Sequence, residues 1–174
     1  GNAAISAAAY CQAADIKLWA FVSPRINRTK FLLTKELGAE IVLSGRAARL
    51  ANYFSKKKQV DNLRPSTDDD SIEGFKSIGF ELYSQLSKAL PIFTFVTSGS
   101  SFLGVYEAYK QLHEWKCLDV LPPLEAVVSK SGDLAGKGGA KRSRRFPVVQ
   151  TALSETGGEI RDISDDQITW ALAW

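Results

Sequence analysis

The segment IFTFVTSGSSFLGVYEAYKQLHEW, from Ile92 to Trp115, carries the pattern that decides the fold. Its first five residues, Ile92 to Val96, form an apolar run that predicts a buried strand. Thr97 to Ser101 places four hydroxyl residues around Gly99 and predicts a turn. The residues from Phe102 onward predict a helix that ends near Trp115. A strand, a turn and a helix in direct succession are the repeating unit of parallel α/β sheets.

The same alternation extends along the chain in both directions. The apolar runs predict further strands, at 18–22, 41–43, 125–129 and near Ile160. The periodic segments between them predict helices, at 3–14, 29–37, 47–57, 72–90 and 146–155, and a last one that starts at Ser164 with capping-box spacing to Gln167. The predicted fold class is therefore α/β, with open parallel sheets that carry helices on both faces, arranged in two lobes.

The expected boundary between the lobes lies in the loop 62–71, which contains Pro65 and the acidic run Asp68-Asp69-Asp70. The division is accordingly predicted as residues 1–66 and 67–174.

Composition gives the chain an ordinary globular character. Of its 174 residues, 45% are hydrophobic and 24% are charged, and the net charge is +3. No apolar run approaches the ~20 residues of a membrane span, so no membrane association is expected. Cytoplasmic location is predicted, and Cys11 and Cys117 are expected to be free thiols.

The turn Thr97 to Ser101 is the strongest chemical signal. Backbone N–H groups at a helix N-terminus, together with hydroxyl donors, favour an anion, and ligands of open α/β sheets bind at the carboxyl ends of strands. A phosphate group is the expected ligand. The alternative is an ordinary hydroxyl-capped turn between a strand and a helix.

Several segments, in the right order, resemble the fold-type II enzymes that use pyridoxal phosphate (PLP), and threonine synthase most of all. The Thr97–Gly104 segment aligns without gaps on that family's glycine-rich phosphate loop. The other similar segments are Gly1–Ala9, Lys30–Val42, Ile72–Glu81 and Gly157–Asp166. The resemblance spans nearly the whole chain.

The resemblance implies PLP as the cofactor and assigns roles to particular residues. Asn2 matches the asparagine that hydrogen-bonds the phenolic oxygen of PLP. The residues that match the phosphate loop are Thr97, Ser98, Gly99, Ser100 and Ser101. Ser100 replaces a second glycine of the commonest pattern, and its hydroxyl is expected to approach the phosphate. The resemblance also implies that 1–66 is the smaller, mobile lobe on the side of the PLP ring, and that 67–174 is part of the larger lobe.

The lysine that forms the Schiff base lies, in the family, upstream of the segment that matches Gly1-Asn2. No catalytic residue is therefore assigned, and the 174 residues are expected to be a fragment that binds PLP without turning over substrate. The resemblance implies a PLP-dependent lyase of amino-acid biosynthesis, with conversion of O-phosphohomoserine to threonine as the first expectation. A serine/threonine dehydratase or a cysteine synthase-like enzyme is the alternative. An amino-acid substrate and a homodimer are the expected partners.

A different class of function stays open, namely a non-catalytic module that binds phosphate or a polyanion. The glycine-rich stretch 137–145 carries five basic residues: Lys137, Lys141, Arg142, Arg144 and Arg145. Because no aromatic residue interrupts it, base stacking has no platform and nucleic acid is not expected. This stretch and Asp68 to Asp70 are expected to be solvated loops, with no metal, and His113 is expected to have a structural role.

Overall fold

The computed structural model describes residues 2–86, 90–129 and 143–173. The chain divides into two compact units, residues 1–68 and 69–174, and each unit has a sheet of its own. The expected division lay between residues 66 and 67. The assignment of the units to a smaller mobile lobe and to part of a larger lobe stays a prediction.

The described part of the first unit is a two-stranded parallel sheet with three helices. Its elements are α1 (Asn2–Ala13), β1 (Trp19–Val22), α2 (Arg28–Glu36), β2 (Glu40–Leu43) and α3 (Ala47–Lys58). Trp19 pairs with Glu40 in the parallel register, so α2 supplies the crossover that a parallel pair requires. The Asn27 side chain starts this helix by accepting a hydrogen bond from the Thr29 N–H at 2.9 Å.

The second unit is a three-stranded parallel sheet in the order β3-β4-β5. Its described elements are α4 (Asp70–Gln85), β3 (Ile92–Phe95), α5 (Ser100–Glu114), β4 (Leu124–Ser129), α6 (Phe146–Thr156), β5 (Ile160–Ile163) and α7 (Asp165–Leu172). Ser164 and Gln167 form the predicted capping box at the start of α7. The predicted order of strands and helices is therefore confirmed, and so is the α/β fold class with parallel sheets.

The core of the second unit centres on β4 and α5. Every residue of β4 except Val127 is buried, as expected for a middle strand. Nine residues of α5 are buried, so this helix is surrounded on several sides. Phe102 near its start is only 1% exposed and belongs to the main apolar cluster. The N-terminus of α5 is consequently held in place by the core.

Two glycines allow α4 and α5 to approach closely. A Cβ atom at Gly79 would lie 2.5 Å from the Ala108 Cβ. A Cβ atom at Gly104 would lie 2.7 Å from the backbone carbonyl carbon of Phe75. Real Cβ atoms do not make contacts this short. The two helices can therefore pack at this distance only because both positions are glycine, which has no Cβ.

Two details differ from the sequence-based predictions. The helix predicted to reach Leu90 ends at Gln85, because Leu86 adopts an extended conformation and Pro91 cannot continue a helix into β3. The strands predicted to be fully buried also have exposed residues. Phe93 of β3 is 64% exposed and Leu43 of β2 is 55% exposed. Both strands lie at a sheet edge, where fewer neighbours cover the side chains.

Among the described helices, none combines the length and the apolar character that crossing a bilayer requires.

Candidate functional site

The predicted phosphate loop joins the carboxyl end of β3 to the first turn of α5. Thr97 is exposed and Ser98 is half-buried, whereas Gly99 and Ser100 are buried. The Oγ atoms of Ser98 and Ser100 lie 3.0 Å apart and share a hydrogen bond. The structure thus places Thr97, Ser98 and Gly99 in the connection before α5, and Ser100 and Ser101 in the first turn of that helix, where a helix start at Phe102 was predicted. Thr97 is the most exposed of the five.

Gly99 fixes the shape of this turn. It is the N-cap of α5 with φ = 87° and ψ = −5°, in the left-handed region that favours glycine. A Cβ atom there would lie 3.1 Å from the Val149 Cγ2. The first intrahelical bond runs from the Leu103 N–H to the Gly99 carbonyl. The N–H groups that precede it point out of the helix N-terminus, where an anion is stabilised.

The segment 143–145, just before α6, is hydrogen-bonded to the loop. The Ser143 Oγ donates a 2.6 Å hydrogen bond to the Ser98 carbonyl, and it accepts one of 3.2 Å from the Arg145 N–H. The Arg145 Nη1 donates a 2.6 Å hydrogen bond to the Ser100 Oγ. These bonds fix the backbone and one hydroxyl of the loop to residues more than 40 positions away in sequence.

Asp69, immediately before α4, is the carboxylate that balances this cationic segment. Its Oδ1 accepts hydrogen bonds from the Arg144 Nη2 at 2.6 Å and from the Arg145 Nη2 at 2.8 Å. The hydrogen bond from Arg145 is the main cause that holds the pKa of Asp69 below its ordinary value of 3.8. The carboxylate is therefore charged at neutral pH.

Two expectations about the charged segments need correction. The basic stretch was expected to be solvated, but Arg145 is only 4% exposed, because it packs against the start of α5 and donates a hydrogen bond to Ser100. Asp69 is likewise engaged by two arginines and not by solvent alone. Lys137, Lys141 and Arg142 lie outside the described residues. Within the described ranges, no three metal-binding side chains cluster.

The sequence did not predict that Ser143, Arg145 and Asp69 would lie beside the loop. The only available signal was charge complementarity between the acidic run and the arginines, which lie about 75 residues apart. The buried Ser100 hydroxyl contacts Arg145 and Ser98, and its expected approach to a phosphate stays a prediction.

Asn2 is the first residue of α1 in the first unit, and its side chain is exposed. A surface depression of about 310 Å³ in that unit is lined by another part of α1, including Ala8 and Cys11. Cys11 and Cys117 are free thiols, as expected. His113 is exposed, and its Nε2 lies 3.1 Å from the Asp119 carbonyl oxygen, which fits the expected structural role.

Two other polar pairs stabilise the fold around the site. The Arg161 Nε donates a 2.9 Å hydrogen bond to the buried Glu125 carboxylate, and this bond lowers the pKa of Glu125. The Tyr106 hydroxyl donates to the Glu155 carboxylate, joining α5 to α6. Burial is the main cause that raises the pKa of Tyr106.

The donors of the loop fit a phosphate monoester. The loop supplies hydroxyl and backbone N–H groups at a helix N-terminus, and the first turn of α5 contains no acidic residue that would repel an anion. Its position at the carboxyl end of a parallel strand is the usual place for a ligand. These features define the class of protein: a parallel α/β protein whose hydrogen-bond donors suit a ligand that carries a phosphate group.

The family follows from sequence comparison. The model of the pyridoxal-phosphate-dependent enzyme family matches residues 1–174. The chain therefore belongs to this family, whose cofactor is PLP. Among curated protein sequences, none matches the chain.

Solved structures share the fold. Maize serine racemase superposes with a TM-score of 0.76 at 17% identity, over 99% of this chain and 57% of that one. Cysteine synthase from Entamoeba histolytica gives 0.71 at 16% identity, over 95% of this chain and 52% of that one. Threonine deaminase isoform 2 from Solanum lycopersicum gives 0.63 at 22% identity, over 75% and 37%. The chain thus spans about half the length of the first two structures.

Proposed function

We propose that this chain forms the part of a PLP-dependent lyase that holds the cofactor's phosphate, and that the complete enzyme acts on an amino acid. The observation that carries the proposal is the turn 97–101. Its hydroxyl and N–H donors meet at the N-terminus of α5 in a chain of the PLP-dependent family. When bound, PLP supplies an electron sink for the amino-acid substrate.

The residues of this chain bind and orient the cofactor. The N–H groups at the start of α5 and the Ser98 hydroxyl bind the phosphate, while Gly99 keeps the turn open enough for an anion to approach. Asn2 holds the phenolic oxygen of the ring, a role that the family resemblance supports. No residue of this chain is assigned as the Schiff-base lysine. The experiments below therefore use the complete protein.

The reaction we propose first is that of threonine synthase, conversion of O-phosphohomoserine to threonine. The support is the sequence resemblance, above all the segment Thr97–Gly104. Serine/threonine dehydration and cysteine synthesis are the alternatives. The solved threonine deaminase and cysteine synthase share the fold, and fold similarity at this level does not choose among the reactions.

A substrate panel tests the reaction. The complete protein, loaded with PLP, is given O-phosphohomoserine, then threonine or serine, then O-acetylserine with sulfide. The proposal predicts release of inorganic phosphate and formation of threonine from the first substrate. Release of ammonia and a 2-oxo acid from the second would replace it with dehydration, and cysteine formation from the third would replace it with cysteine synthesis.

Cofactor attachment is tested separately. PLP titration is followed by borohydride reduction and peptide mass mapping of the complete protein. The proposal predicts reversible binding before reduction, and a label on a lysine outside the turn. A Gly99→Ala variant is expected to bind PLP about 5- to 30-fold more weakly, because its left-handed φ costs about 1–2 kcal/mol in the loop. Undiminished binding by this variant would count against the turn as the phosphate site.

Polyanion binding is the remaining alternative, and the ion pairs of the basic stretch argue against it. Arg144 and Arg145 both pair with Asp69, so neither is a simple solvated cation. Salt-sensitive binding of nucleic acid, lost on neutralising these two arginines together with Arg142, is the result that would favour it.

A further inference from the structure

Arg145 is the least exposed charged residue of the described chain, at 4%. A buried cation is costly unless it is paired and hydrogen-bonded. Its guanidinium group uses three nitrogens in described contacts. The Nη1 donates to the Ser100 Oγ at 2.6 Å, while the Nη2 and Nε donate to the Asp69 Oδ1 at 2.8 and 3.3 Å. The position that this group occupies lies directly beneath the phosphate loop.

The bond to Ser100 has a fixed direction. A guanidinium group can only donate, so the Ser100 oxygen must accept from Arg145. The hydroxyl hydrogen of Ser100 is thereby turned away from Arg145. The Ser98 Oγ lies 3.0 Å from the Ser100 Oγ, within reach of that hydrogen. When Ser100 donates this hydrogen to Ser98, the Ser98 hydroxyl can in turn donate its own hydrogen to an anion.

The positive charge of Arg145 also favours an anion at the loop. Arg145 is buried, whereas the Asp69 side chain is 69% exposed, so solvent screens the carboxylate more than the guanidinium group. Asp69 also accepts a hydrogen bond from Arg144. A phosphate at the loop would therefore lie near a buried guanidinium group that is bonded to Ser100.

We propose that Arg145 is a positioning residue for the PLP phosphate, which acts through Ser100 to orient the Ser98 hydroxyl and adds a buried positive charge behind the loop. This inference rests on the proposed function, because it requires the loop to bind that phosphate. It assigns Arg145 no contact with the reacting atoms of the substrate.

The test compares two cofactor forms and two arginines in the complete protein. Dissociation constants are measured for PLP and for pyridoxal, which lacks the phosphate, in the wild type and in Arg145→Gln. Arg144→Gln is the matched control, because it loses a bond to the same Asp69 oxygen from a side chain that is 50% exposed. Circular dichroism checks that each variant is folded.

We expect Arg145→Gln to weaken PLP about 10- to 100-fold, the effect of one charge-assisted hydrogen bond and its charge, and to leave pyridoxal unchanged within about two-fold. Arg144→Gln is expected to change neither by more than about three-fold. Equal losses for PLP and pyridoxal would overturn the inference, since they would show a merely structural role. So would an Arg145→Gln variant that binds PLP as Arg144→Gln does.

A second variant covers the case in which Arg145→Gln does not fold. Ser100→Ala removes the relay but keeps the guanidinium group, and we expect it to weaken PLP about 3- to 10-fold with pyridoxal unchanged. Wild-type affinity in Ser100→Ala would refute the relay. A wild type that binds PLP no better than pyridoxal would refute the proposed function itself, which separates the two failures.

Discussion

Replacing Gly104 with alanine should destabilise the second unit even though alanine is the better helix former. Gly104 lies in α5 against the backbone of α4, and an added Cβ would come within 2.7 Å of the Phe75 carbonyl carbon. A flexible side chain could move aside, but a backbone atom of a helix cannot. Gly74 in α4 is the matched control, because a Cβ there would have no atom within 4 Å.

The two substitutions should have opposite signs. Overpacking costs about 1–3 kcal/mol, and contact with backbone places Gly104→Ala in the upper half of that range. The gain in helix propensity is about 1 kcal/mol, so a net loss of about 1–2 kcal/mol is expected. Gly74→Ala should gain about 1 kcal/mol from propensity alone. The variants should therefore differ by about 2–3 kcal/mol.

Urea unfolding followed by circular dichroism measures both variants on one scale. Thermal unfolding should separate them by roughly 4–12 °C for a chain of this size. If Gly104→Ala were as stable as Gly74→Ala, the close packing of α4 on α5 would be wrong, and with it the argument that the core fixes the start of α5.

Three further predictions concern the same unit. Gly79→Ala should destabilise it by about 1–2 kcal/mol, and adding Ala108→Gly should restore part of the loss, because the two Cβ atoms would otherwise lie 2.5 Å apart; urea unfolding of the single and double variants checks this, and simple additivity would contradict it. Tyr106→Phe should cost about 1 kcal/mol by losing the bond to Glu155. Since the folded pKa of Tyr106 is raised above 10.0, the stability linked to its proton is present below pH 10 and lost above it. Thermal scans at alkaline pH should therefore show a shallower decline in the variant, and an unchanged decline would argue against the burial. The pKa of Glu125 is lowered from 4.5, so the stability it contributes is present above that pH and lost as the pH falls. Glu125→Gln should flatten the acid limb of a plot of melting temperature against pH, and an unaltered acid limb would argue against the pairing with β5.

Most of the fold could be predicted because local signals agreed with it. Capping by Ser164, the apolar run before Thr97 and the break at the acidic loop all act over a few residues. Exposure at the strands could not be predicted in this way. An apolar run such as that around Phe93 is the same whether the strand is central or at an edge, and sheet order depends on pairing between residues distant in the sequence.

The candidate site, too, could be predicted only where its residues are close together in the sequence. The turn around Gly99 was predicted, because a strand, hydroxyl residues and a helix follow one another directly. Its support by Ser143 and Arg145 was not, because those residues lie more than 40 positions away and their stretch has the composition of a solvated loop. Pairing between Asp69 and the arginines depends on where α4 and α6 begin in space, and no local pattern encodes that.

The central claim is that the turn 97–101 binds the phosphate of PLP, and a crystal structure of the complete protein with PLP tests it most directly. The proposal predicts phosphate oxygens within about 3 Å of the Ser98 Oγ and of backbone N–H groups at the start of α5, with Arg145 still bonded to Ser100. A phosphate bound at another loop, with the Ser98 hydroxyl directed elsewhere, would contradict it.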